Sequence, residues 1–94
     1  MADAVAAREA GMTVGLATDG ANSADALSIF EVMKQATLVS RLHTGGLPGG
    51  WLAASDALTM ATEGGSGIVA FPKVTGRLEA GAAADITLLD LDSL

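Results

Sequence analysis

One short apolar run most constrains what this chain can fold into. It extends from Met12 to Ala17 and stops abruptly at Thr18-Asp19-Gly20. Five of its six residues are apolar or glycine, which is typical of a strand covered on both faces. Such strands occur in parallel sheets, where ligands bind at the carboxyl ends of the strands. The run therefore predicts an α/β fold and makes Asp19 the candidate site residue.

The segments around this run predict helices first and strands later. Gly11 is the expected C-cap of an alanine-rich first helix, Asn22 or Ser23 the N-cap of an amphipathic second helix, and Ser55 the N-cap of a third. We expect this third helix to end at Gly64-Gly65. The predicted helices cover 2–10, 23–42 and 55–62, with a further turn within 66–71, and the predicted strands cover 74–79 and 85–91.

Composition excludes several classes of partner. The 94 residues carry a formal net charge of -6 and no cluster of Lys or Arg, so nucleic acid and anionic membrane surfaces are poor partners. No apolar run approaches the ~20 residues of a membrane span, and the opening residues do not resemble a signal peptide. The absence of cysteine removes disulfides and thiolate metal sites. A cytoplasmic location is the default expectation.

The chemistry-bearing residues are few. A carboxylate such as Asp19 at a strand end can bind a metal or act as a base, although Asp-Gly after a strand is also ordinary turn chemistry. His43 is the only histidine, and its position at a helix end favours a capping or surface role. The glycine-rich segments 43–50 and 63–67 lack the Gly-Lys-Ser/Thr ending of a phosphate loop, so flexible connections and helix caps are favoured there. A nucleotide-binding domain is therefore the weakest alternative.

Three motifs, taken in order, give the chain a family resemblance. The first is Gly15-Leu-Ala-Thr-Asp-Gly20 with Ser23, Asp25 and Phe30 downstream, the second is Ala57-Leu-x-Met-Ala-Thr62 with Gly64-Gly65, and the third is Gly76-Arg-Leu-Glu-Ala-Gly81 with Ala84-Asp85 and the apolar stretch to Leu91. Together they resemble the C-terminal part of the metal-dependent amidohydrolases, in the branch of cytosine, guanine and S-adenosylhomocysteine deaminases and triazine hydrolases. The resemblance covers about 4–91.

This resemblance implies a fold and a site. The fold would be a C-terminal fragment of a (β/α)8 TIM barrel, with the last barrel strand and following helices in residues 1–72 and strands of a small β-sandwich in residues 73–94. Asp19 would be the metal ligand and catalytic residue at the end of that last strand. The metal would be zinc or iron, activating a water that removes ammonia or chloride from a purine, pyrimidine or triazine-like ring.

The departures from the family pattern limit what the chain can do alone. Gly81-Ala82 stands where the family usually has Gly-Lys, and Gly65-Ser66 stands where Gly-Ala is common. The family's other metal histidines and its catalytic glutamate precede the matched segment. We therefore expect a fragment that is catalytically silent in isolation. The alternative is a non-catalytic small α/β interaction module, and in either case an unpaired strand edge favours a homo-oligomer.

Overall fold

The computed structural model describes residues 3–22, 26–43, 50–69, 75–90 and 92, and these residues form four helices and one π-helical turn. The helices are α1 (Ala4–Glu9), α2 (Ile29–His43), α3 (Ala54–Thr59) and α4 (Gly65–Ile68). A π-helical turn, Met60–Gly64, joins α3 to α4 and is called the π turn below. None of these described helices is long and apolar enough to cross a bilayer.

Helix α1 is ended by Gly11 as predicted and begins at Ala4, two residues after the predicted start. The Asp3 carboxylate caps the N-terminus, where it accepts hydrogen bonds from the backbone N–H groups of Val5 (3.1 Å) and Ala6 (3.0 Å). At the other end Gly11 adopts a φ of 79°. The Gly11 N–H then donates to the Arg8 carbonyl and the Met12 N–H to the Ala7 carbonyl, which is the bonding pattern of a Schellman cap.

The second helix begins later than predicted. Asn22 is not helical, Ser23 lies outside the described residues, and α2 starts at Ile29. The Val32 N–H donates to the Ser28 carbonyl at 3.2 Å, so Ser28 occupies the position before the first helical residue. The prediction of a start near Ser23 was wrong because a second good capping residue lay downstream. The predicted end near Leu42 is within one residue of His43.

The third predicted helix was wrong at both ends. Ala53, not Ser55, is the N-cap of α3, and its backbone N–H donates to the Asp56 carboxylate at 2.8 Å. The chain does not stop at Gly64-Gly65 but continues through the π turn into α4. Glycine did not end the helix because both glycines keep right-handed helical angles, with a φ of -62° at Gly64 and -60° at Gly65. The helical turn predicted within 66–71 corresponds in part to α4.

The described residues contain no β-strand. Strands complete their hydrogen bonds only against a neighbouring strand, and residues 12–20 and 83–90 have none within the described ranges. Parts of the predicted strands, at 74 and 91, lie outside those ranges. The barrel and sandwich assignments, and the division into 1–72 and 73–94, therefore remain predictions.

A small core lies where α2 packs on α3, which continues into the π turn. Its buried apolar side chains are Leu52, Ala57 and Met60. The buried Ser40 hydroxyl donates to the Thr37 carbonyl (2.7 Å) and accepts from the Leu52 N–H (3.0 Å), which satisfies its hydrogen bonding inside this core.

The surface is large for the mass of the chain. Its accessible area is 6913 Å², whereas a folded monomer of 9.3 kDa is expected to expose about 5,000 Å². The radius of gyration of 14.3 Å also exceeds the roughly 12 Å expected for a compact domain of this length. Much apolar surface thus remains uncovered, including Leu88 at 90% exposure and Leu78 at 79%.

Candidate functional site

Asp19 lies exposed at the end of the segment 12–20. Its Oδ1 accepts a hydrogen bond from the Gly20 N–H at 2.7 Å, which fixes the carboxylate relative to its own backbone. The other carboxylate oxygen has no hydrogen bond or ion pair to any described residue. One oxygen is therefore held by the turn and the other is open to an incoming group.

The backbone of Asp19 is in the left-handed region, with a φ of 58°. No other non-glycine residue of the described ranges has a positive φ. This conformation costs an L-residue about 1–2 kcal/mol, although Asp tolerates it better than most. A left-handed residue at this point agrees with the turn chemistry expected of Asp-Gly, and the Asp19 carboxylate is exposed to solvent.

Upstream of Asp19, the segment 12–20 is attached to the π turn through its backbone. The Leu16 N–H donates to the Met60 carbonyl at 3.0 Å. Gly15 lies so close to this region that an added Cβ would sit 2.9 Å from the Ile68 Cδ1 atom and 3.1 Å from the Gly65 Cα atom. Asp19 follows Leu16 by three residues. The Asp19 Cα atom therefore lies no more than about 10 Å from the Leu16 Cα atom, whose residue is bonded to the π turn.

His43 does not join Asp19 in a metal-binding group. Its Nδ1 atom lies 3.8 Å from the Asp3 Oδ2 atom, so when protonated His43 ties the C-terminus of α2 to the N-cap of α1. His43 is exposed, in agreement with the surface role that the sequence favoured, and no capping bond from its side chain to α2 is seen among the described residues.

The residues present do not form a metal site by themselves. A carboxylate oxygen such as that of Asp19 is a suitable zinc or iron ligand, but such centres use three or four protein ligands. No group of three or more His, Cys, Asp or Glu side chains could hold a metal ion among the residues described. Asp19 can therefore supply one ligand at most, and no catalytic step follows from these residues alone.

Sequence reasoning missed a second group of polar residues, which surrounds the start of α3. Arg8 Nη1 lies 3.0 Å from Asp56 Oδ1, and the Arg41 guanidinium lies 5.1 Å from the centroid of the Trp51 ring. The hydrogen bond from the Ala53 N–H, followed by that from Arg8, lowers the pKa of Asp56 against an opposing effect of burial. Asp56 was recognisable as a first-turn acid, but its partner on α1 was not.

A shallow cleft of about 290 Å³ lies beside this group, lined by Val5, Arg8, Glu9, Trp51 and Leu52. Its volume is at the lower limit of the range typical for small-molecule sites. The Arg8 guanidinium in its lining is already paired with Asp56, so the cleft offers no free positive charge from Arg8 to a ligand.

Comparison with known proteins decides the family. A sequence profile described as "Amidohydrolase family" matches residues 1–94. The chain belongs to the amidohydrolase family. The resemblance inferred from the three motifs is therefore confirmed, and this amidohydrolase chain carries the first of them at the exposed turn of Asp19.

Curated relatives of the amidohydrolase chain carry the name 5-methylthioadenosine/S-adenosylhomocysteine deaminase. The relative from Halobacterium salinarum is 41% identical over 93 residues, which is 99% of this chain and 21% of that protein. Those from Nitratidesulfovibrio vulgaris (strain DP4) and Bacillus cereus (strain G9842) are 41% and 40% identical over 91 residues, 97% and 96% of this chain and 20% of each relative. The chain thus spans about a fifth of the length of these relatives. No solved structure matches it.

Proposed function

We propose that this chain is the C-terminal part of a metal-dependent amidohydrolase that deaminates a small heterocyclic substrate. The observation that carries the proposal is the match of nearly the whole chain to relatives named as deaminases. Hydrolytic deamination replaces an exocyclic amino group with a water-derived oxygen and releases ammonia. A purine nucleoside is the substrate class favoured by the relatives' names, and a pyrimidine or chlorinated triazine is the variant to be tested beside it.

Asp19 would contribute one metal ligand to such an enzyme. Its exposed carboxylate, with one oxygen held by the Gly20 N–H and the other open among the described residues, supports this role. The remaining ligands to zinc or iron would come from residues outside this chain, so we expect the isolated chain to be silent. We also propose that 12–18 becomes the last barrel strand when a neighbouring strand completes its hydrogen bonds, and that the location is cytoplasmic.

The test is a chimera that supplies the missing residues. This chain replaces the 91 residues with which it aligns in the Bacillus cereus relative, and ammonia release is measured with S-adenosylhomocysteine, cytosine and a chlorinated triazine, alongside bound zinc and iron. We expect deamination of the purine nucleoside. Asp19→Asn should lower the rate by about 10²-fold or more, because the amide replaces a charged ligand, while Glu9→Gln on α1 should leave it unchanged.

Each outcome of this experiment bears on one part of the proposal. A folded chimera that binds metal but deaminates none of the substrates contradicts the function. A chimera whose activity survives Asp19→Asn contradicts the role of Asp19 alone. Robust deamination by the verified 94-residue chain contradicts the claim that it is silent in isolation.

The second candidate is a non-catalytic module that associates with copies of itself. The excess surface favours it, since the chain exposes 6913 Å² where about 5,000 Å² is expected, and a standard interface buries about 800 Å² on each partner. Sedimentation of the isolated chain distinguishes the two. A stable, monodisperse, metal-free oligomer that is unchanged by Asp19→Asn supports the module, whereas a monomer contradicts it.

A further inference from the structure

The three motifs that carry the family resemblance meet at one place in the structure. The second motif contains the π turn, the first crosses one side of it at Gly15 and Leu16, and the third contacts it through Gly76 and Arg77. These contacts join residues that are far apart in sequence. The π turn is therefore the junction of the three motifs.

Gly64 makes the first of these contacts possible. A Cβ atom added to Gly64 would collide with the Val14 carbonyl oxygen. That oxygen is backbone, so the clash could be relieved only by moving segment 12–20 or the π turn. Gly65, the next residue, has nothing within 4 Å of an added Cβ. The requirement for glycine is therefore specific to residue 64 and arises from the close approach of two backbones.

The third motif contacts the π turn in a similar way. Gly76 has a φ of 89°, and an added Cβ would lie 3.0 Å from both the Glu63 Cα atom and the Thr62 carbonyl oxygen. Arg77 Nη2 lies 3.5 Å from Glu63 Oε2, and the hydroxyl groups of Ser66 and Thr75 are 2.8 Å apart. Polar contacts thus fix the 75–77 segment against the end of the π turn.

π-Helical turns are rare and are frequently found at functional sites. Here the Met60 carbonyl, at the start of the turn, accepts the Leu16 N–H at 3.0 Å. At the end of the turn, the Val14 carbonyl oxygen lies against Gly64, where it occupies the space of a Cβ atom. Two contacts on neighbouring residues define both the position and the direction of the chain that leads to Asp19.

We propose that the π turn positions the Asp19 carboxylate, and that Gly64 is the positioning residue because it lets segment 12–20 approach. The functional meaning of this placement rests on the proposed function, but the placement itself does not. Substituting Gly64 should displace Asp19 although the two residues do not share an element. Substituting Gly65 should leave Asp19 in place.

The experiment compares Gly64→Ala with Gly65→Ala in the 94-residue chain by NMR. Hydrogen exchange of the Leu16 amide reports the bond to Met60, and the Gly20 amide and Asp19 carboxyl shifts report the turn. We expect Gly64→Ala to accelerate Leu16 exchange by about tenfold or more and to move both Asp19-Gly20 signals, with Gly65→Ala changing exchange less than about twofold.

Amides of α2 provide the internal reference. Faster exchange throughout α2 as well as at Leu16 would indicate general destabilisation and would contradict a positioning role for Gly64. Equal effects of Gly64→Ala and Gly65→Ala, or unchanged Asp19 and Gly20 signals in Gly64→Ala, would overturn it too. Because none of these measurements requires activity, they remain informative if the deaminase proposal fails.

A second pair of variants applies if Gly64→Ala does not fold. Gly15→Ala places its Cβ against the Ile68 Cδ1 atom, the mobile end of a side chain, at 2.9 Å. We expect a smaller shift of the Leu16 and Gly20 amides, partly restored when Ile68→Val removes that methyl group. Absence of both the shift and the restoration contradicts the proposal.

Discussion

Replacing Asp56 by Asn should destabilise the chain, and the loss should depend on pH. The carboxylate accepts the Ala53 N–H at 2.8 Å and pairs with Arg8 at 3.0 Å. Asn keeps the shape but removes the charge, so the capping bond becomes a neutral one and the ion pair is lost. A cap contributes about 1 kcal/mol and a partly exposed ion pair about 0.2–1 kcal/mol. We expect a net loss of about 1 kcal/mol, or roughly 4–8 °C in Tm.

The pH dependence follows from the lowered pKa of Asp56. Its pKa is lowered first by the Ala53 N–H and then by Arg8. A carboxyl group whose pKa is lower when folded stabilises the fold fully above its unfolded pKa of about 3.9. This contribution is lost as pH falls through the folded pKa. The two chains should therefore differ in Tm at pH 7, and the difference should shrink as pH falls below the unfolded pKa of about 3.9.

Thermal unfolding followed by circular dichroism measures both effects. Glu9→Gln is the matched control, because Glu9 has no hydrogen bond or ion pair to the described residues, and it should change stability by less than about 0.5 kcal/mol. Arg8→Met in a double-mutant cycle with Asp56→Asn isolates the ion pair. A Tm difference that does not shrink as pH is lowered below about 3.9, or that is absent at pH 7, refutes the reasoning.

Three further predictions concern single contacts, each read by Tm. Asp19→Asn should leave stability nearly unchanged, since Asn also tolerates the φ of 58°. Asp19→Val should cost about 1–2 kcal/mol, because a β-branched residue does not tolerate this φ. Equal losses of stability in the two variants would contradict backbone strain at Asp19. Asp3→Ala should cost about 1 kcal/mol by removing the α1 cap, with Asp3→Ser largely restoring it. Arg41→Met should cost about 0.5–1 kcal/mol, because it removes the cation–π contact with the Trp51 ring. An unchanged Tm would contradict a stabilising role for that contact.

Local sequence signals predicted the helix ends that local bonds determine. Gly11 ends α1 as predicted, because a left-handed glycine acts within a few residues of itself, whereas the Asp3 cap was not predicted. The start of α2 was predicted too early because Ser23 and Ser28 are both acceptable caps. A choice between two caps depends on packing, which periodicity alone does not reveal.

The π turn could not be predicted, because its cause lies elsewhere in the chain. Gly64-Gly65 is a common helix terminator, and the sequence was interpreted in that way. In the structure the helical path continues, and Gly64 serves the approach of the Val14 carbonyl. A glycine required by a distant backbone and one required by a turn are identical in sequence. The same limit applies to Arg8, whose pairing with Asp56 is a tertiary contact.

The sequence predicted the position of one candidate site residue but not the group of residues around it. An apolar run ending in Thr18-Asp19-Gly20 indicated where a carboxylate would be exposed, and Asp19 is exposed. The remaining ligands of a metal centre would have to come from other residues. The described ranges contain no group of His, Cys, Asp or Glu side chains that could hold a metal ion. The three motifs thus mark the junction around the π turn, and the first of them also carries Asp19.

The uncovered surface links the two candidate functions. Ile86 and Leu88 are 61% and 90% exposed in a segment whose sequence expects cover on both faces. Removing such apolar area from water is favourable by about 25 cal/mol per Å², and the cost of association offsets part of that gain. Such a surface strongly favours being covered. Under the first proposal the cover would be the rest of the enzyme, and under the second it would be another copy of this chain, so the same apolar residues would be buried in either case.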